Sequence, residues 1–317
     1  MEPSFDFEKP ILEIERMIDK LKKLGNQDDD DHAARIAELE EQCLEQKKKI
    51  YSNLTPWQTV QIARHPKRPV LQDYIQSIFT DFVELHGDRL YGDDRALIGG
   101  FATIGKKPVM LVGQNKGKNI EENLERNFAM SNPEGYRKAL RLMRLAEQFE
   151  LPVVTLIDTP AAYPGKEAEE RGQAEAIAKN LAEMARLETP IVTVVLGEGG
   201  SGGAIGIGVA DVVMMLSYSI YSVIPPEGCA AILWRDAAKA PEAAESLKLT
   251  AQSLLDLGVT DEIIDEPLGG AHHDPATMTA AVKKAVLKHL RHLKGTSGSK
   301  LVSKRFEKYS KIGEFYK

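Results

Sequence analysis

The chain has 317 residues, 43% of them hydrophobic and 28% charged, a composition that fits an ordinary globular protein and excludes disordered and membrane classes. Its formal net charge of −6 gives no reason to expect nucleic acid as a partner, and small molecules or other proteins are better candidates. The two cysteines, Cys43 and Cys229, lie far apart without CxxC spacing, which favours a reducing compartment and argues against a zinc site on this chain. The N-terminus lacks a signal-peptide core, and no run approaches the roughly 18 apolar residues of a membrane span, so we expect a cytoplasmic protein.

Two amphipathic helices are predicted at the N-terminus. Apolar residues recur at spacings of three and four over 11–24, and the same spacing returns over 36–50. Between them, Gly25 can end the first helix, and the aspartates that follow can cap and begin the second. We therefore expect residues 1–53 to form a helical hairpin arm used for packing or interaction.

Strand-like and helical segments alternate through the middle of the chain. The pattern predicts a pair of strands over 97–104 and 108–114, and further strands over 152–158, 190–197 and within 211–224. It predicts helices over 133–149, 166–187, 201–210, 253–259 and 277–293, of which the one over 166–187 is long and the one over 201–210 is rich in glycine. Repeated βα units with continuous β-branched strands indicate an α/β domain over 54–293, with a mostly parallel sheet between helices. Residues 294–317 read as a flexible linker and a basic, aromatic tail, which could dock on the domain or on a partner, or remain a solvated helix.

A run of seven glycines in twelve positions, over 197–208, follows a predicted strand. Gly197, Gly199 and Gly202 satisfy the GxGxxG pattern of dinucleotide sites, but no acidic residue closes a neighbouring strand about 20 residues further on. Gly199, Ser201 and Gly203 also satisfy the GxSxG pattern of the hydrolase nucleophile elbow. The histidines downstream that could serve as its base are His272, His273, His289 and His292. No HGGG-type loop precedes the run, which weakens the hydrolase hypothesis.

A third interpretation uses only the backbone. Glycines around the first turn of a helix leave amide groups open to an oxygen that becomes negative during a reaction. This hypothesis assigns an oxyanion hole to the backbone amides of Gly202 and Gly203. Close helix packing accounts for Gly206 and Gly208, whereas we expect it to account poorly for the first five glycines.

Six long stretches of the chain follow one another in a recognisable order and spacing. They are ELHGDRLYGDDRALIGG, QNKGKN, PEGYRKALRLMRLAEQF, IDTPAAYPGKEAEERGQAEAIAKNLAEM, GEGGSGGAIGIGVADVV and YSVIPPEGCAAILW. On these residues the chain resembles the carboxyltransferase alpha subunit of bacterial and plastid acetyl-CoA carboxylase, over essentially its whole length. The resemblance implies a crotonase-like fold, in which stacked ββα units carry oxyanion holes at helix N-termini, with an N-terminal helical hairpin arm.

The resemblance also implies a reaction. In this family the carboxyl group of carboxybiotin, held on the biotin carboxyl carrier protein, is transferred to acetyl-CoA, giving malonyl-CoA for fatty acid biosynthesis. Two oxygens become anionic: the alpha subunit stabilises the biotin ureido oxygen, here through the amides of Gly202 and Gly203, and a zinc-ribbon beta subunit stabilises the thioester. The expected assembly is an α2β2 heterotetramer that works with biotin carboxylase in an ATP-binding holoenzyme, with zinc on the beta subunit and none on this chain.

Further residues acquire expected roles through the same resemblance. Residues expected to line the biotin or coenzyme A pocket are Gly199, Gly200, Ser201, Tyr163, Pro226, Glu227 and Gly228. Basic candidates for coenzyme A phosphates or for the carrier surface are Lys116, Lys118, Arg126 and Arg137. Cys229 is expected in the core rather than as a nucleophile. The alternatives are a serine hydrolase acting through Ser201 and a crotonase-like scaffold without catalysis.

The chain departs from the family pattern at a few positions. Ala161 and Ala129 stand where glycine is expected, so the local loops differ if either position requires a positive φ. Lys166 and Glu167 stand where small or apolar residues are common, which predicts a more polar loop near the cleft.

Overall fold

The computed structural model describes residues 5–24 and 30–313, so the predicted helix break at 25–29 lies outside the described residues. The two predicted N-terminal helices are present as α1 (Lys9–Leu24) and α2 (Asp30–Tyr51). They pack against each other through buried apolar side chains that include Ile11 and Cys43. The amphipathic spacing thus predicted the hairpin correctly.

The hairpin is joined to the rest of the molecule at its base. Tyr51, near the end of α2, donates a hydrogen bond to Glu8 Oε1 at 2.5 Å and packs near Tyr218, with ring centroids 5.9 Å apart. The same apolar cluster includes Ile62 of the next helix, α3 (Pro56–Ala63). The arm therefore continues the core of the domain instead of extending away from it.

Eight strands in the described part of the chain form a single sheet. They are β1 (Phe79–Glu84), β2 (Leu97–Ile104), β3 (Lys107–Gln114), β4 (Val153–Thr159), β5 (Ile191–Gly200), β6 (Val212–Leu216), β7 (Ile220–Ser222) and β8 (Glu262–Ile264). The order is β1-β2-β3-β4-β5-β6-β8, and β7 pairs with β5. The pairs among β1, β2 and β3 are antiparallel, and the remaining pairs are parallel. The predicted hairpin of strands and the mostly parallel sheet are both confirmed.

Helices cover both faces of this sheet. Beyond α3 they are α4 (Leu71–Ile78), α5 (Ile120–Glu125), α6 (Pro133–Gln148), α7 (Lys166–Glu170), α8 (Gln173–Met184), α9 (Ser201–Ile205), α10 (Pro226–Trp234), α11 (Ala240–Leu247), α12 (Ala251–Asp256), α13 (Pro275–His292) and α14 (Gly298–Ser310). Alternate residues of β4 face opposite cores: Val154 packs with the α4 and α13 side, and Val153 with the α6 and α8 side. This two-sided burial explains the continuous apolar runs in the sequence.

Two predicted helices differ from the structure. The prediction of a single helix over 166–187 is wrong, because Gly172 has a left-handed conformation with φ +85° that separates α7 from α8. The glycine-rich helix predicted over 201–210 ends at Ile205, after five residues. The strands predicted over 211–224 are present as β6 and β7, which pair with different parts of β5.

The C-terminal tail docks on the domain through a buried arginine. Arg305 of α14 is 1% exposed, and its guanidinium pairs with Asp211 at 2.9 Å and 3.0 Å. It also donates to the carbonyl oxygens of Met184, Leu187 and Thr189. Of the three alternatives for the tail, these contacts therefore support docking on the domain of the same chain.

Replacing Arg305 with methionine is expected to lower the free energy of unfolding by about 3–5 kcal/mol, because Asp211 would remain buried without its cation. Lys304→Met is the matched control, since Lys304 is exposed on the same helix. Denaturant-induced unfolding of both variants measures the difference. Equal stability of the two variants would contradict a docking role for Arg305.

Candidate active site

The glycine run lies where a parallel strand turns into a helix. β5 ends at Gly200 and α9 begins at Ser201. The end of β5 is flanked on both sides, since Gly199 pairs with Thr159 of β4 and with Tyr221 of β7. Ligands in α/β folds commonly bind at the carboxyl ends of parallel strands, and the predicted site is therefore at a favourable edge of the sheet.

The amides of Gly202 and Gly203 have no hydrogen-bond partner in the described residues, and Gly203 itself is buried. Both residues lie in the first turn of α9, where backbone N–H groups have no partner within the helix. Within residues 5–24 and 30–313, neither amide donates a hydrogen bond to another protein group. Unpaired amides at this position can stabilise a negatively charged oxygen.

A buried glutamine holds the start of α9 against the sheet. Gln114, at the end of β3, is fully buried. Its Nε2 donates to the carbonyl oxygen of Gly203 at 2.7 Å, and its Oε1 accepts from the amide of Asp158 at 3.0 Å. Sequence reasoning missed this residue, although a polar side chain ending an apolar strand was a possible signal.

Close backbone packing requires glycine at positions 200 and 203. A Cβ at Gly203 would lie 2.6 Å from the carbonyl oxygen of Ala161 and 2.7 Å from the amide nitrogen of Ala162, and one at Gly200 would lie 2.9 Å from the carbonyl oxygen of Thr159. At Gly200 and Gly203 the expectation that packing accounts poorly for the glycines is therefore wrong, because the chain after β4 runs directly against this turn. Gly202 differs, since its Cβ would meet only Ile177 Cδ1, at 3.3 Å.

Ser201 has a positive φ of +49°, as the nucleophile of an elbow would. The described residues nevertheless contain no contact between Ser201 and any histidine that was considered as its base. The ring of His272 stacks on that of His65 with centroids 3.8 Å apart, and His289 Nε2 lies 2.7 Å from Glu262 Oε2. The arrangement does not assemble a hydrolase triad.

A network of buried charges lies directly before the glycine turn. Glu198 Oε1 accepts from Arg64 Nε at 2.6 Å, and Glu198 Oε2 lies 3.3 Å from Lys116 Nζ. Lys116 also reaches Asp158 Oδ1 at 3.5 Å, and the same oxygen accepts from the amide of Glu198 at 3.0 Å. Burial opposes ionisation of Glu198, but Lys116 and Arg64 outweigh it and lower the pKa of this carboxyl.

The same network reaches the predicted pocket wall. Arg64 contacts Glu227 Oε1 at 2.5 Å, which joins the first turn of α10 to β5. A cavity of about 10 Å³ lies between these elements, and Gly199, Gly200 and Pro226 are among its lining residues. The structure thus brings part of the predicted pocket together, although the space within this chain is very small.

Tyr163 and Gly228 are not among the residues that line this small cavity. Tyr163 lies in the loop after β4, where its amide donates to the carbonyl oxygen of Ser131 at 3.0 Å. Gly228 follows Glu227 within α10. Cys229 is buried beside Ala230 and Ala243, in agreement with a core role.

All four basic candidates are engaged within the chain. Lys116 belongs to the network already described, and Lys118 pairs with Asp73 at 2.5 Å. Arg126 donates to the carbonyl oxygen of Lys116 at 3.1 Å and also contacts Glu122. Arg137 pairs with Asp88 at 2.7 Å.

The departures from the family pattern have different consequences. Ala129 has a φ of +63°, a conformation for which glycine is the easier residue, so this loop carries local strain of about 1 kcal/mol. Ala161 has no positive φ, and its backbone is the surface against which Gly203 packs. Lys166 and Glu167 begin α7 and are exposed.

Comparison with known sequences identifies the family of this chain. The family model described as acetyl co-enzyme A carboxylase carboxyltransferase-like matches residues 4–313. The chain belongs to this family. It is 54% identical to the acetyl-coenzyme A carboxylase carboxyl transferase subunit alpha of Geobacter metallireducens, over 98% of this chain and 97% of the relative. It is 55% identical to the protein of the same name from Burkholderia multivorans, over 98% and 96%.

Solved structures of other carboxyltransferases share the fold. Transcarboxylase 12S with methylmalonyl-coenzyme A bound matches with a TM-score of 0.56 and 20% identity, over 79% of this chain and 43% of that chain. The beta subunit of Pseudomonas aeruginosa geranyl-CoA carboxylase matches with a TM-score of 0.56 and 16% identity, over 83% and 47%. This chain therefore spans less than half the length of these two structures. The expected crotonase-like fold is confirmed, and at these identities the likeness extends to the fold alone.

No group of three or more His, Cys, Asp or Glu side chains is arranged to hold a metal ion in residues 5–24 and 30–313. In the same ranges, every helix is too short or too polar to cross a membrane.

Gly203→Ala is expected to lower the free energy of unfolding by about 1–3 kcal/mol, because the added Cβ strikes the backbone at Ala161 and Ala162. Gly202→Ala is the matched control and is expected to lower the free energy of unfolding by less, since its Cβ would meet only one side-chain atom. Thermal and denaturant unfolding of both variants provides the comparison. A variant at Gly203 as stable as the one at Gly202 would argue against the packing explanation.

Glu198→Gln is expected to lower the free energy of unfolding by about 3–5 kcal/mol at neutral pH, because Lys116 and Arg64 would lose the carboxylate that pairs with them. The carboxyl has a folded pKa below its ordinary 4.5, so its stabilisation is present above that pH and is lost as the pH falls through the folded pKa. Unfolding free energies between pH 7 and pH 3 should therefore converge for the two proteins in acid. Glu227→Gln, which removes a more exposed partner of Arg64, is the control. A constant difference at all pH values would contradict this account.

Proposed function

We propose that the protein is the alpha subunit of an acetyl-coenzyme A carboxylase carboxyl transferase. With a beta subunit it would transfer the carboxyl group of carboxybiotin, carried on the biotin carboxyl carrier protein, to acetyl-CoA and so produce malonyl-CoA. The observation that carries the proposal is identity of 54% and 55% to proteins of that name over 98% of this chain. The proposed location is the cytoplasm.

In this proposal the backbone at the start of α9 provides the chemistry that this chain contributes. Carboxybiotin, when bound, supplies the carboxyl group. The unpaired amides of Gly202 and Gly203 suit an oxygen that gains negative charge, because each is a donor fixed before the reaction. One such donor is typically worth about 3 kcal/mol of the barrier. No side-chain nucleophile is needed, in keeping with the isolation of Ser201 from the histidines.

Neighbouring residues would hold these amides in place. Gln114 fixes the carbonyl oxygen of Gly203, so rotation of the first turn of α9 would break a buried hydrogen bond. Glu198, held by Lys116 and Arg64, anchors the strand that leads into the turn. We assign the wall of the pocket to Gly199, Gly200, Ser201, Tyr163, Pro226, Glu227 and Gly228.

A second chain would complete the site. The cavity beside Gly200 measures about 10 Å³, which is too small for a biotin ring, so further walls must come from elsewhere. Transcarboxylase 12S and the geranyl-CoA carboxylase beta subunit are each more than twice as long as the part that matches this chain. This difference supports a separate beta subunit that carries the part of the enzyme missing from this chain. We propose an α2β2 assembly that acts with biotin carboxylase, with zinc on the beta subunit.

The proposal is tested by malonyl-CoA formation from acetyl-CoA and a carboxybiotin donor. Activity is expected only when this chain is mixed with a beta partner. Gly202→Pro removes one amide donor and should lower kcat by about 10²–10³, whereas Gly202→Ala keeps the donor and should retain most activity. Ser201→Ala should also retain activity.

Complex formation must be verified for each variant by size-exclusion chromatography, because only an intact assembly reports on catalysis. Full activity of Gly202→Pro in an intact complex would overturn the amide assignment. Loss confined to Ser201→Ala would favour the hydrolase hypothesis. An intact complex of the native chains without turnover would favour a scaffold.

A further inference from the structure

A second cavity, of about 500 Å³, lies against the outer face of α6 and shares no lining residue with the β5–α9 turn. Its basic lining residues are Arg89, Arg137, Arg141, Arg144 and Lys179, and Asp88 is the one carboxylate among the lining residues. The chain as a whole carries a formal net charge of −6. The local excess of positive charge is therefore opposite in sign to the charge of the protein.

Three of the five cations have carboxylate partners in the structure. Arg137 pairs with Asp88 at 2.7 Å, Arg144 with Glu183 at 2.8 Å, and Lys179 lies 4.0 Å from Glu175. Arg89 and Arg141 have no carboxylate within 4.0 Å in the described ranges 5–24 and 30–313. These two guanidinium groups are the available positive charges of the cavity.

The two unpaired arginines are held side by side. Arg89 donates to the carbonyl oxygen of His86 at 2.8 Å, and Arg141 donates to the same oxygen at 3.2 Å. Arg141 also donates to the carbonyl oxygen of Gly87 at 3.0 Å. Partial burial and the neighbouring charge of Arg89 lower the pKa of Arg141. Backbone carbonyls thus position two like charges that repel each other, and an anion between them would relieve that repulsion.

Apolar side chains form the rest of the surface. Leu140 is buried at the base of the cavity, Leu145 is half-buried, and Leu90 is 79% exposed at its edge. An inorganic anion alone would leave these leucines uncovered. The volume lies within the range of small-molecule sites, about 300–1,000 Å³.

We propose that this cavity binds a phosphate-bearing small molecule with an apolar or aromatic organic part, of the size of a nucleoside diphosphate. Arg89 and Arg141 would bind the phosphate groups bidentately, and the three leucines would contact the organic part. Lys179 would contribute charge at the rim. This inference does not depend on the function proposed for the β5–α9 turn.

Isothermal titration calorimetry on the full-length chain tests the proposal, with ADP, pyrophosphate and adenosine as separate probes. ADP is expected to bind in the millimolar range or more tightly, pyrophosphate more weakly and adenosine not detectably. Arg141→Ala should weaken ADP binding about tenfold or more, because it removes charge-assisted hydrogen bonds. Lys179→Glu should weaken ADP binding as well. This variant is less disruptive to the fold, because Lys179 is exposed and its nearest carboxylate is 4.0 Å away.

Arg291→Ala is the matched control, since Arg291 is an exposed arginine on α13 outside this cavity. ADP binding should be unchanged in that variant. Circular dichroism confirms that each variant is folded. The proposal is overturned if the native chain does not bind ADP, if Arg141→Ala and Lys179→Glu bind it normally, or if Arg291→Ala loses binding equally. Adenosine binding as tightly as ADP would also overturn it, because phosphate would then contribute nothing.

Discussion

The close contact between the backbone after β4 and the turn from β5 into α9 is the constraint on which the site depends. At Gly200 and Gly203 the two segments approach so closely that a Cβ would strike main-chain atoms. This contact fixes the direction in which α9 leaves the sheet and therefore the position of its unpaired amides. Gly200 and Gly203 thus serve packing, and the unpaired amides of α9 are placed as a consequence of it.

Buried polar groups keep that contact in register. Gln114 connects β3 to both β4 and α9 with two hydrogen bonds, and Asp158 holds the amide of Glu198 on the neighbouring strand. Charges buried without partners would be costly, so Lys116 and Arg64 are integral to this arrangement. The result is a turn held by directional interactions, whereas apolar packing alone would leave its orientation less strictly defined.

The two cavities differ in the way they are completed. The space beside Gly200 is almost closed within this chain, and its polar neighbours already satisfy one another. The cavity on α6 is larger and keeps two guanidinium groups without carboxylate partners in the described residues. The first arrangement fits a half-site that another chain extends, and the second fits a ligand that this chain binds by itself.

The amino-acid pattern alone predicts the N-terminal hairpin, the strand pair β2–β3, the parallel strands and the location of the glycine turn. These features depend on local periodicity and on apolar runs, which a single chain displays directly. The folded chain was needed to show that Gly172 separates α7 from α8, that α14 docks through Arg305, and that Gln114 supports Gly203. It also gathered Arg89 and Arg141, 52 positions apart, around the carbonyl oxygen of His86. The physical reason is that a hydrogen bond or ion pair between distant residues leaves no periodic trace, so it becomes visible only when the fold brings its partners together.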